Sequence, residues 1–272
     1  MGSGTSINFP LDDLPDEVLV VILSFFPDNF LIHKASRVCR KWRDIFHGQT
    51  LWRLKCNRKG VTIPDALPLE YRDYRKLCLK NVFGRNLLKN WDATEGMEHW
   101  EHAAKRSRHH GHRHCGIVIE ESTPEASYGS DPLSELNVGT NKCWAFSFRL
   151  EALFQKVHLV EEGLTPEILD DIQPPISVSV WTAARFDCAS RYTIIVSLLG
   201  EIGQALNTNT KFEDFLEVPQ WHDCSWMKIG HTFRDYGRGV RELTFTHVGS
   251  DRQFWAGNYG PKVAAPCVKV DL

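Results

Sequence analysis

Hydrophobic periodicity changes character once along this chain of 272 residues, and that change limits the fold more than any single motif does. Up to about residue 56 the apolar residues recur at three- and four-residue steps, the spacing of one helix face. From Asn86 to Val270 they alternate or form short dense runs bounded by turn residues, the spacing of strands. The pattern reads as an α+β multidomain protein: a small helical domain, a partly helical connector and an antiparallel β-sandwich. The expected divisions are 1–9 as a flexible start, 10–56 as the helical domain, 57–85 as the connector and 86–272 as the sandwich.

Within the helical part, Asp13 is expected to cap a helix whose first turn holds Pro15, Asp16 and Glu17, a composition that suits the missing proline N–H and the helix dipole. Val18, Leu19, Ile22, Leu23 and Phe26 continue it until Pro27 stops the run. A second helix follows Asp28. A third carries Val38, Trp42, Ile45 and Phe46 on one face, and Gly48 ends it before Leu51 and Trp52 add a last apolar contact. So short a helical stretch makes a small core. Leu14, Pro15, Val18, Leu31, Cys39 and Trp52 are expected to be left over, and an exposed apolar patch of that kind marks a partner surface. In the connector, Tyr71, Tyr74, Leu77 and Leu79 form a helix-like stripe.

In the second half Ile176–Trp181 alternates cleanly and Tyr192–Leu199 is dense enough for a buried strand. Met227, Ile229, His231 and Phe233 share one face, as do Leu243, Phe245 and His247, with Gly237 and Gly239 as turn material between the two sets. Glu161–Asp171 is the one expected short helix.

Composition serves mainly to exclude. A formal charge of −2 argues against an electrostatic nucleic-acid binder. The longest nearly apolar run, Val18–Phe26, is about half the length of a membrane span. Eight cysteines without a C-x-x-C pair or close spacing fit neither a zinc module nor a disulfide scaffold. With no signal-peptide pattern and no N-x-S/T sequon, the expected localisation is cytoplasmic with reduced thiols. The start MGSGTS matches an acylation pattern through Gly2 and Ser6, and equally a flexible Gly/Ser leader; membrane association enters only through Gly2.

No nucleophile elbow, P-loop, H-E-x-x-H or dinucleotide fingerprint is present, so no catalytic residue is assigned and no cofactor is expected. Six of the twelve histidines lie between His99 and His114 among Lys105, Arg106, Arg108 and Arg113. They read as a solvated basic loop rather than a metal site, and no metal ligand is assigned. Phe254 and Trp255, beside Gly257, Asn258, Tyr259 and Gly260, offer a different chemistry. A pyranose presents a C–H face and a rim of hydroxyls, and a loop with aromatic plates and hydrogen-bonding groups matches both. Alternation sends one ring of the pair inward if that segment is extended. Trp181 and Phe148 are weaker candidates for the same role and read rather as core.

Two resemblances follow from these residues. LPDEVLVVILSFFPDNFLIHKASRVCRKWRDIFHGQTLW is similar to an F-box, through Leu-Pro-x-Glu, Ile-Leu-Ser, Val-Cys-Arg-x-Trp-Arg and the closing Leu-Trp. This resemblance implies docking to the Skp adaptor of a cullin-RING ubiquitin ligase through Leu14, Pro15, Val18, Ile22, Leu23, Val38, Trp42 and Trp52. The second half resembles the F-box-associated (FBA) domain of the sugar-recognising F-box proteins, which implies a β-sandwich of the galactose-binding-like, jelly-roll type. The signals are GRNLLKN, EGLTPEILDDIQPPISVSVW with the Ala183-Ala184-Arg185 turn, Trp226–Phe233 with Asp235-Tyr236-Gly237, Gly239-Val-Arg, and QFWAGNYG.

That family implies high-mannose N-glycans on Phe254 and Trp255, with N-glycosylated proteins as substrates for ubiquitination. Three departures stand out: Ala256 where the best-known pattern has Lys, Ala-Ala-Pro-Cys after Val263 where Thr-Asn-Ser-Ser is expected, and the histidine-rich stretch where a short acidic, Gly-rich turn is expected. The alternative is an F-box receptor that has lost glycan binding and reads a protein surface.

Overall fold

The computed structural model describes residues 14–103, 116–122 and 133–272. Gly2, Asp13, Cys115 and the histidine-rich residues from Lys105 to His114 lie outside these. The chain divides between Asn81 and Val82 into two compact units. Among the described residues no helix is long and apolar enough to cross a membrane.

The first unit is helical. Helix α1, Asp16–Ser24, starts behind Pro15, and α2, Asp28–His33, starts behind Pro27. Each proline is the cap residue, with ψ near 148°, and each helix opens on an aspartate that suits the positive end of the dipole. Pro15 therefore stands outside the first turn, where its carbonyl accepts from Val18 N and Leu19 N at 3.1 Å. Pro27 begins α2, and α1 has already ended at Ser24.

Helix α3, Arg40–His47, buries Trp42, Ile45 and Phe46, whereas Val38 precedes it and is 56% exposed. Gly48 then joins α3 directly to a helix that periodicity did not reveal, α4, Gln49–Lys59. Its N-terminal side carries Leu51 and Trp52 into the core, and Gly60 at φ +65° ends it in the left-handed conformation. Lys55 of α4 is also buried. Its ammonium donates to Phe26 O at 2.7 Å and lies 3.1 Å from Asp28, which answers the open carbonyls beyond α1. Helix α5, Tyr74–Lys80, is capped by Asp73, which accepts from Lys76 N.

The second unit is the expected sandwich. Its strands are β1 Glu101–His102, β2 Val118–Glu121, β3 Lys142–Ala145, β4 Glu151–His158, β5 Ile176–Ala183, β6 Ser190–Leu199, β7 Lys211–Val218, β8 Met227–Phe233, β9 Glu242–Asp251 and β10 Lys262–Val270. One antiparallel sheet has the order β1-β4-β9-β6-β7 and the other β2-β3-β10-β5-β8. Trp144, Tyr192, Phe233, Tyr236 and Phe245 are among the side chains fully buried in this unit.

Two local expectations change. β8 is an edge strand, so Met227, Ile229 and His231 stay at least partly exposed and only Phe233 is buried. His231 instead stacks on Phe212 with centroids 4.7 Å apart. The single helix expected over Glu161–Asp171 is two separate turns, α6 Leu159–Glu162 and a π turn Ile168–Ile172. Gly163 at φ +124° and Pro166 interrupt it.

Val82–Arg85, read with the connector, belong here too: Phe83 pairs with Val270, and Gly84 N donates to Val270 O. The GRNLLKN segment is a strap along the sheets. Asn86 Nδ2 donates to Pro266 O and its Oδ1 accepts from Val268 N, while Gln155 exchanges two hydrogen bonds with the backbone of Lys89.

Candidate functional site

Antiparallel register brings four connections to one end of the sandwich. Lys262 pairs with both Ala145 and Ala183, while Ser190 pairs with Asp251 and Val218. The β3–β4, β5–β6, β7–β8 and β9–β10 loops therefore meet there. The β9–β10 loop carries the expected aromatic pair.

That loop is held from beneath. Buried Asp251 accepts from Phe254 N at 2.7 Å, and Arg252 N donates to Ala189 O at 2.8 Å. Asn258 Nδ2 donates to Gly116 O and, at 3.1 Å, to Ala145 O. Arg185 Nε donates to Asn258 O at 2.9 Å, while its guanidinium is 2.6 Å from Glu120. Lys262, also on Glu120 at 3.8 Å, is 1% exposed; burial first and then the Arg185 charge push its ammonium below the usual lysine range. Three half-buried or buried charges thus form the floor of the loop. Glu120 ties the two cations together, so displacing its carboxylate would cost both ion pairs at once.

The loop is not extended, so alternation does not apply. Phe254 stands at φ +57°, and both rings face water: Phe254 is 78% exposed and Trp255 39%. Tyr259 meets Trp255 edge-on with centroids 5.6 Å apart, and the Arg185 guanidinium lies over the Tyr259 ring, 5.8 Å from its centroid. Phe148, Leu150, Ser250, Asp251, Arg252 and Phe254 line an adjoining groove of about 430 Å³. Phe148 is half-buried in its wall, not in the core; Trp181 packs on the Cys143–Ala183–Trp226 cluster, as expected.

Of the four residues expected to touch a glycan, Phe254, Trp255 and Tyr259 present rings to solvent. Asn258 spends its amide nitrogen on two carbonyls and so anchors the loop. Arg185 reads in the sequence only as part of the Ala183-Ala184-Arg185 turn, and nothing in its spacing shows that it supports Asn258 across 73 residues.

Gly260 fits the same floor. A Cβ there would lie 2.8 Å from Phe146 O and 2.9 Å from Ser147 O. Gly260→Ala is expected to lower stability by about 1–3 kcal/mol through forced backbone displacement. Thermal unfolding of the full chain measures it, and an unchanged midpoint would mean that the loop yields freely.

The helical unit presents a second surface. Val18, Val21, Phe25 and Val38 are exposed to between 42% and 70%. Leu14 and Ile22 are half-buried and Pro15 is exposed. Leu23, Leu31, Trp42 and Trp52 are core residues, so the expectation that Leu31 and Trp52 are left over is corrected, and Leu23, Trp42 and Trp52 support the surface from below instead of forming it. Cys39 is half-buried. Val20, Val21, Ile45 and Leu54 line a groove of about 630 Å³ between α1, α3 and α4, rimmed by Asp16, Glu17, Asp44 and Arg53.

His99 and His102 do not share a helix face. His99 lies 3.4 Å from Glu95 and His102, on β1, 3.7 Å from Glu151. Among the described residues no three His, Cys, Asp or Glu gather as metal ligands would.

Comparison with known proteins matches residues 78–270 to a family described as F-box associated region and residues 11–58 to one described as F-box-like. F-box only protein 6 of Homo sapiens is 33% identical over 262 residues, covering 96% of this chain and 84% of the relative. F-box only protein 27 of Mus musculus is 32% identical over 265 residues, 93% and 88% of the two chains. F-box only protein 44 of Homo sapiens is 30% identical over 261 residues, 96% of each.

Proposed function

We propose, starting from the fact that this chain belongs to the F-box proteins with an F-box-associated region, that it is the substrate receptor of a Skp–cullin–F-box ubiquitin ligase and captures glycoproteins by their high-mannose N-glycans. The family is one of non-catalytic adaptors. The helical unit docks on the Skp adaptor through the exposed side chains Pro15, Val18 and Val38 together with half-buried Leu14 and Ile22. The loop end of the sandwich holds the glycan. Capture raises the effective concentration of a substrate lysine at the ubiquitin thioester, turning a bimolecular encounter into a local one.

The observation that carries the glycan reading is the outward presentation of both Phe254 and Trp255 on a loop pinned by Asp251, Asn258 and Arg185. A pinned plate loses little entropy on meeting a sugar. Ala256 favours a second reading, a receptor for a protein surface, because it brings no donor to the hydroxyl rim.

Calorimetry of the full chain with chitobiose and high-mannose oligosaccharide, beside complex-type glycans, separates the two. The expected result is binding that Trp255→Ala weakens at least about a hundredfold, as loss of a central aromatic anchor does. A folded wild-type chain that binds no glycan would leave the protein-surface reading in its place.

A further inference from the structure

Beside the Phe254–Trp255 loop lies another aromatic pair that periodicity gives no reason to notice. Phe186, in the β5–β6 turn, is 44% exposed, and Trp221, between β7 and β8, is 60% exposed. Their rings meet edge-on with centroids 5.4 Å apart, which leaves ring faces open to solvent. The backbone holds them there. Trp221 N donates to Phe186 O at 2.8 Å, and Gln220 Nε2 donates to Asp187 O at 2.8 Å. Trp221 sits at φ +64°, a costly conformation for a bulky residue and one that the cross-linked loops must impose.

The pair is continuous with the candidate site. The β5–β6 turn is tied to the β9–β10 loop by Arg252 N to Ala189 O at 2.8 Å, Cys188 Sγ to Gln253 Oε1 at 3.2 Å and Arg185 Nε to Asn258 O at 2.9 Å. Its immediate chain neighbours are Arg185, Asp187, Gln220 and His222, all polar. Open rings with a polar rim suit a pyranose, and two such plates on adjoining loops suit a ligand longer than a disaccharide.

We propose that Phe186 and Trp221 form an outer aromatic subsite that takes the distal hexose units of the same oligosaccharide whose inner units rest on Trp255. This rests on the glycan reading above. The inner plate confers recognition of the core, and the outer plate confers preference for extended glycans.

The test is calorimetry of the full chain carrying Phe186→Ser with Trp221→Asn, since asparagine accepts the left-handed conformation. The ligands are chitobiose, a free high-mannose oligosaccharide, and a folded glycoprotein bearing that oligosaccharide. The expected result is chitobiose affinity within about twofold of wild type and oligosaccharide affinity about tenfold weaker, at an unchanged melting midpoint. Equal affinity of variant and wild type for the oligosaccharide overturns the proposal. So does a loss confined to the glycoprotein, which would make the pair a polypeptide contact, or an equal loss for chitobiose, which would make it part of the inner site. Wild-type chain that binds neither sugar defeats the glycan reading itself and this subsite with it.

Discussion

Trp52→Ala is expected to cost the helical unit about 3–5 kcal/mol, the range for removing a buried tryptophan. Trp52 is fully buried, its Nε1 donates to Phe46 O at 2.8 Å, and its ring meets Phe46 edge-on at 5.7 Å. Alanine leaves both a cavity and an unanswered carbonyl. Whole domains have only about 5–15 kcal/mol to lose, and a core as small as this one has less, so the unit should be largely unfolded near body temperature. Urea unfolding of the full chain followed by far-ultraviolet circular dichroism reads the loss, and capture of the Skp adaptor should disappear with it. Val38→Asp is the contrast. At 56% exposure it should leave stability within about 0.5 kcal/mol and still abolish capture. A Trp52→Ala chain that unfolds like wild type would contradict the burial, and full capture by Val38→Asp would remove Val38 from the docking surface.

Mild acid is expected to weaken the sandwich through one buried residue. His247 is 1% exposed, among Trp100, Trp144, Phe245 and Tyr192, whose hydroxyl lies 2.6 Å from its Nδ1. Burial lowers its imidazole from 6.5 to about 3. The unfolded chain therefore binds a proton that the folded chain refuses throughout that interval, and stability falls as pH falls. Between pH 7.5 and 4.5 the loss should be about 2–3 kcal/mol, continuing until pH approaches 3.

Asp170 does not interfere in this window. The Arg241 guanidinium, which it accepts from at 2.8 Å, holds its carboxyl below the usual 3.8, so its contribution is lost only in stronger acid. His247→Phe combined with Tyr192→Phe removes the titrating ring without leaving a lone phenol. The stability difference between wild type and this variant should shift by the same 2–3 kcal/mol, about that much in the variant's favour, from pH 7.5 to 4.5. A constant difference would mean that His247 takes up its proton in the folded state.

Ile176–Trp181 alternates in composition and in burial, because a strand flanked by β8 and β10 has two distinct faces. The same logic failed for Met227, Ile229 and His231, since an edge strand shields its residues less and period alone carries no information about strand order. α4 carries no clear helix period because its apolar residues are few, and Gly48 resembles a stop although here it is only one extended residue between two helices. In the helical unit one stripe had to serve both core and partner surface. Periodicity marks a residue as apolar-facing but does not say which neighbour it faces.

The order of segments, the switch from helix to sandwich, the family and the aromatic character of the β9–β10 loop were all determined by the sequence itself, because they depend on local spacing and residue type. The tertiary structure decided which apolar residues of the helical unit remain exposed, and that Asn258 turns inward to anchor the loop. It also decided that Phe254 and Trp255 both face water and that Phe186 and Trp221 stand beside them. These outcomes depend on contacts between residues far apart in the chain and on one left-handed backbone angle at Phe254. No local pattern encodes such contacts, since each partner's position is set only when the sheets pair.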